Sequence, residues 1–135
     1  MKSDLDGDLD EEAVIDARSK YILALKGVYW ELFEINQISG DSLILLVESA
    51  NFDLDNAHSL MNSWEFISNG LINKSYMNLL FKLKYAAVIG GFARNLLFNH
   101  ISHAYDVVIG YIISLEKAEY IFKHVNILKK CNSLY

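Results

Sequence analysis

Proline is absent from this 135-residue chain. Nothing in the sequence therefore forbids long uninterrupted helices, because proline is the residue that removes a helical hydrogen bond and clashes with the preceding turn. There is one cysteine, Cys131. An intrachain disulfide framework is excluded and a cysteine-based zinc site is disfavoured, which fits a reducing, intracellular setting with Cys131 as a plain thiol in a polar tail. Positive charge is scarce: 12 Lys and Arg stand against 17 Asp and Glu, a net charge of -5. That balance argues against nucleic acid, whose partners carry basic patches. No run reaches the ~18 uncharged apolar residues of a membrane span. The nearest, AAVIGGFARNLLF at 86–98, is interrupted by Arg94, and the stretch 104–115 is interrupted at its start by Asp106. The acidic N-terminal residues carry no apolar h-region, so no signal peptide is expected in them. The P-loop, nucleophile-elbow, dinucleotide-glycine, HExxH and CxxC patterns are all missing. No catalytic residue, cofactor or metal site is therefore expected, and the chain reads as a non-enzyme.

What is present is apolar and helical. Hydrophobic residues make up 53% and charged residues 21% of the chain. That is too apolar for disorder and enough for one domain with one core. The modest apolar excess suggests a surface that a partner covers. Residues 1–10 read as a flexible acidic leader, with aspartates at 4, 6, 8 and 10. An EF-hand reading of them fails on spacing. With Asp4 at loop position 1, Leu9 stands where glycine is required and Ile15 where the bidentate glutamate is required.

The expected fold is all-α: a helical bundle of about five helices, beginning with a long helix and an αα-hairpin. The helical domain is read as residues 11–126, with a polar basic tail at 127–135. The first helix is expected over residues 11–37. Val14, Ala17, Tyr21, Ala24, Leu25, Val28, Leu32 and Ile35 form one apolar row, and Ile15, Ile22, Tyr29 and Phe33 a second beside it. At 1.5 Å per residue this helix is about 40 Å long, and Gly27 is read as a close contact or bend. Ser39-Gly40-Asp41 reads as stop and start, with Gly40 left-handed and Asp41 or Ser42 as the next cap. The short link predicts an antiparallel hairpin with a helix at 41–51. A break follows at 52–56, with Asp53 or Asp55 available as a cap. A helix at 55–68 would then turn Ala57, Leu60, Met61, Trp64 and Ile67 inward. One helix is expected over 74–98, with Met77, Leu80, Leu83, Ala87, Gly90 and Leu97 along one side, then a kink at 99–103 and a last helix to about 125.

Several constellations invite chemistry. His100, His103 and Asp106 have the spacing of three ligands on one helix face, but two of them equally suit a helix junction. Arg94 and Asp106 stand in apolar stretches twelve residues apart and could pair if two helices fold back on each other; a snorkelling Arg94 is the alternative. Candidate interface or packing residues are Tyr29, Trp30, Phe33, Trp64, Gly90, Arg94 and Asp106, with both tryptophans at least partly buried. The wide apolar face of the first helix and the small residues of 74–98 predict a homodimer. Phe81, Lys82, Leu83, Lys84, Tyr85 and Arg94 add a possible membrane-surface contact.

Three segments carry a resemblance. LKGVYWELFE at 25–34 looks like a helix with an aromatic signature. ISGDS at 38–42 running into LLVESA at 45–50 looks like a turn into a leucine-rich helix. AYDVVIGYI at 104–112 looks like a later helix of the same set. In order and spacing they resemble the cytosolic region that follows the transport domain in sodium/proton exchangers of the sperm-specific and plant salt-tolerance type. The resemblance implies a non-catalytic cytosolic regulatory or dimerisation segment of an antiporter-like membrane protein, on the cytoplasmic side of the membrane. Its partners would be the transport domain or other cytosolic domains of the parent exchanger. The exchangers' transport carboxylates belong to the membrane domain, so none is assigned here. The alternative is a freestanding cytoplasmic α-helical adaptor with no transport activity.

Overall fold

The computed structural model describes residues 3–72, 74–83, 85–86 and 89–132. Among them are five helices and no strand: α1 (Ser3–Glu34), α2 (Gly40–Asp55), α3 (Ser63–Leu71), α4 (Lys74–Leu83) and α5 (Gly90–Asn132). The fold is all-α and opens with a long helix and a hairpin. Helical backbone already begins at Ser3, not near residue 11. No proline opposes it. At the other end α5 continues to Asn132, into the segment read as a tail.

The side of α1 that faces inward is Ile22, Leu25, Val28, Tyr29 and Leu32, all essentially inaccessible to solvent. These residues come from both expected rows, so the true core stripe runs between them. Val14 and Ile35, at the ends of the first row, are exposed. Gly27 is exposed, and a Cβ built there meets nothing within 4 Å, so it marks neither a close contact nor a break in α1.

The stop after α1 belongs to Asn36, not Gly40. Asn36 has φ 57°. Its N–H donates to the Phe33 carbonyl (2.9 Å), and the Gln37 N–H reaches back to Leu32 (2.8 Å). This is the paired closure of a Schellman ending. Asparagine tolerates the left-handed conformation because its short amide can bond locally. Gly40 is instead the first residue of α2, and the cap is Ser39, whose hydroxyl accepts from the Ser42 N–H at 3.3 Å. The α1–α2 hairpin is antiparallel. Lys26 donates to Asn51 (2.7 Å), and earlier on α1 the Arg18 guanidinium reaches the carbonyls of Ala57 (2.7 Å) and Ser59 beyond α2.

The third helix starts later than expected. Residues 56–62 are non-helical, and Leu60 and Met61, expected inside, are exposed; only Ala57 and Ile67 of the expected inward set are buried. The cause is Asp53 on α2, whose carboxylate captures the Asn62 N–H and the Ser63 hydroxyl and so fixes where α3 begins.

The chain departs furthest from expectation over 74–103. The chain does not form one helix over 74–98 with a break at 99–103. It breaks before Gly90, and α5 runs through 99–103 without interruption. Adjacent Gly90 and Gly91 are costly inside a helix but tolerable in its first turn, whereas 99–103 contains neither glycine nor proline. Ala87 and Lys84 lie outside the described residues. At 43 residues α5 is about 64 Å long and serves two clusters. Its first part packs antiparallel on α4, where Leu80, Ala93 and Leu97 are buried together. Further along, Val107 and Ala118 enter the main core with α1, α2 and α3. Gly110 sits at the crossing with the hairpin: a Cβ there would lie 2.8 Å from Ile38 Cγ2 and 3.2 Å from Leu46 Cδ1.

Candidate functional site

Polar side chains converge where α5 crosses the start of α2. Ser42 is fully buried, and its hydroxyl donates to Asp106 Oδ2 (2.8 Å) while lying 3.1 Å from His103 Nδ1 and 2.8 Å from the Ser39 hydroxyl. The same Asp106 oxygen accepts the Ser39 N–H at 2.7 Å. A serine, a histidine and an aspartate are thus within hydrogen-bond reach, but in the wrong order for nucleophilic catalysis. A triad needs the histidine between the other two, taking the serine proton while the carboxylate orients the ring. Here histidine and aspartate address the same hydroxyl, and that hydroxyl is sealed from solvent. Burial pushes the Asp106 carboxyl upward, but the Ser39 N–H, the Ser42 and Ser39 hydroxyls and the charge of His103 outweigh it, so the group sits below the ordinary aspartate value.

Asp106 accepts from the N–H of the residue that caps α2. Asp53 does the same for α3, accepting the N–H of its cap Asn62 at 2.8 Å as well as the Ser63 hydroxyl. In a capping box a glutamate three residues into the helix makes this bond. Here the carboxylate comes from another helix, so one bond ends a helix and also docks it. Asp53 is only 3% exposed, and among the described residues no cation is one of its hydrogen-bond partners. Two phenols stand near it. Burial, with Tyr111, Tyr21 and Asp53 adding to it, pushes Tyr29 strongly upward despite a hydrogen bond with Ser49. Burial and then Asp53 also raise Tyr111, against a hydrogen bond with Ser63.

The candidate residues therefore separate. Tyr29, 1% exposed, is core. Trp30 and Phe33 point outward from the same turn and meet edge to face, with ring centroids 6.2 Å apart. Trp64 is half exposed and lies 5.8 Å from the Tyr111 ring. Neither tryptophan is a core residue. Gly90 is buried at the first position of α5. Arg94 is exposed and shares α5 with Asp106, about 18 Å along one axis, so the two cannot pair. His100 turns to Tyr76, with centroids 6.0 Å apart, while His103 turns to Ser42. Of the three spaced residues, His103 and Asp106 thus meet at the Ser42 hydroxyl, while His100 turns away from them. Among the described residues no group of three or more His, Cys, Asp or Glu is placed to hold a metal ion.

Between α3, α4 and α5 lies an apolar groove of about 270 Å³, walled by Trp64, Leu71, Ile72, Met77, Ile101 and Val108. Its volume is below the ~300–1,000 Å³ usual for small-molecule pockets, and no charged group converges on it among the described residues. Ser42 and Asp53 were legible in the sequence only as candidate helix caps, Ser42 for α2 and Asp53 for the helix after it; their roles as a buried junction hydroxyl and an inter-helix carboxylate were not. A hydroxyl beside a helix start and next to an apolar run, and an acid within the last turn of a helix, were the available signals. No described helix is long and apolar enough to cross a membrane. Comparison with protein-family models, with curated proteins and with solved structures finds no match in any of the three.

Proposed function

We propose that this chain is a non-catalytic helical interaction module, working as a cytosolic regulatory and dimerisation segment of a sodium/proton antiporter-like membrane protein. The observation that supports it is how the 29–33 aromatic segment divides. Tyr29 anchors α1 in the core, while Trp30 and Phe33 are displayed together on the surface. Large exposed aromatics on a rigid helix are the residues that anchor protein interfaces. The buried polar groups serve helix ends, which leaves binding rather than chemistry as the use of the surface.

The test is an immunoblot of fractionated source cells with an antibody against this chain. Antigen in the membrane fraction, on a polypeptide much larger than 15.4 kDa, is the expected result. A soluble band near 15.4 kDa would replace this reading by the freestanding adaptor.

A further inference from the structure

We infer that the outer face of α5 is an interface for a second copy of this chain, laid antiparallel to the first; the inference rests on the interaction-module reading above. Phe98, Ile101, Tyr105 and Ile112 recur at helical spacing and are all exposed, Phe98 by 67% and Tyr105 by 68%. They lie on the side of α5 opposite Val107, Ser114 and Ala118, which are buried against the core. At 1.5 Å per residue the stripe from Phe98 to Ile112 is about 21 Å long. A contiguous apolar stripe of this length on a rigid helix is unusual without a partner.

The charges bracketing the stripe identify that partner. Arg94 lies one turn before Phe98 and Glu116 one turn after Ile112. Both are exposed, and neither forms an ion pair among the described residues, whereas the next acid, Glu119, is held by Lys123 at 2.6 Å. Arg94 and Glu116 each stand eleven residues from Tyr105, Phe98 and Ile112 each seven, and Ile101 and Ile109 each four. A two-fold axis near Tyr105 therefore places Phe98 over Ile112 of the second copy, Ile101 over its Ile109 and Arg94 over its Glu116. By symmetry the same ion pair closes the other end. A closed two-fold contact needs such a self-complementary patch. A parallel copy would set Arg94 on Arg94 and Glu116 on Glu116. A lipid surface would favour cations along the whole stripe rather than an acid at one end.

Sedimentation of the full chain between about 1 and 100 µM tests this. The mass should rise with concentration from 15.4 kDa toward twice that value. Tyr105→Asp, at an exposed position, should weaken association at least about tenfold with the helical circular dichroism unchanged. Arg94→Glu and Glu116→Arg should each weaken it by about fivefold, and the two changes combined in one chain should restore it. Failure of the combined variant to recover would overturn the antiparallel arrangement. A dimer indifferent to Tyr105→Asp but lost in Trp30→Ala would overturn the α5 interface and leave the module reading in place. A monomer throughout would also overturn the interface, while the cell-fractionation result would still decide the module reading.

Discussion

Two glycine-to-alanine substitutions, both in helix interiors, should move stability in opposite directions. Alanine is favoured over glycine there by about 1 kcal/mol. At Gly27 the new methyl meets nothing within 4 Å, so the full gain should appear. At Gly110 the methyl would sit 2.8 Å from Ile38 Cγ2 and 3.2 Å from Leu46 Cδ1. Neither neighbour yields easily. Cγ2 sits on the branched Cβ of a buried residue with stiff χ1, and Leu46 is fully buried. Overpacking of this kind costs about 1–3 kcal/mol, so Gly110→Ala should be net destabilising by up to about 2 kcal/mol after the helical gain. Urea unfolding followed at 222 nm measures both, and thermal midpoints should move apart by several degrees, at about 4 °C per kcal/mol. Ile38→Ala removes the clashing methyl, so Gly110→Ala should cost less in that background, a coupling that a double-mutant cycle reads directly. If Gly110→Ala stabilised the chain as much as Gly27→Ala, the close crossing of α5 over the hairpin would be wrong.

Three further outcomes follow from the buried polar groups and the aromatic segment. Asp53→Ala should destabilise by about 2–3 kcal/mol in denaturant, since it strands a buried hydroxyl and a helix-start N–H; a loss under 0.5 kcal/mol would contradict its capping role. Because the Asp106 carboxyl is held below its ordinary value, its contribution is complete above the unfolded-state pKa of about 3.9 and disappears as pH falls through the lower folded value. The acid limb of a stability-pH profile should therefore flatten below about pH 4 in Asp106→Asn, and an unchanged limb would count against the Ser39–Ser42–Asp106 junction. Tyr29→Ala should cost about 3–5 kcal/mol and half-exposed Trp30→Ala about 1 kcal/mol or less; equal losses would place Trp30 in the core after all.

The sequence by itself determined the helical class, the long first helix and the antiparallel hairpin, because these depend on local properties. Missing prolines and a 3.6-residue apolar period act within one helix, and the short link from Asn36 to Ser39 leaves the chain little choice but to reverse. What it did not determine were the helix ends and the neighbours. Asn36 and Gly40 both suit a left-handed stop, and only the packed hairpin selects between them. The start of α3 is set by a carboxylate on α2, and the cap N–H of α2 is held by Asp106, sixty-seven residues from Ser39. The continuity of α5 through 99–103 was open for the same reason: the junction of His103 and Asp106 with Ser42 needs both residues in helical register on one helix. Periodicity in the 98–112 segment is equally compatible with an inner or an outer face. The tertiary structure decided that Phe98, Ile101, Tyr105 and Ile112 face outward, because Val107, Ser114 and Ala118 occupy the side of α5 that the hairpin covers.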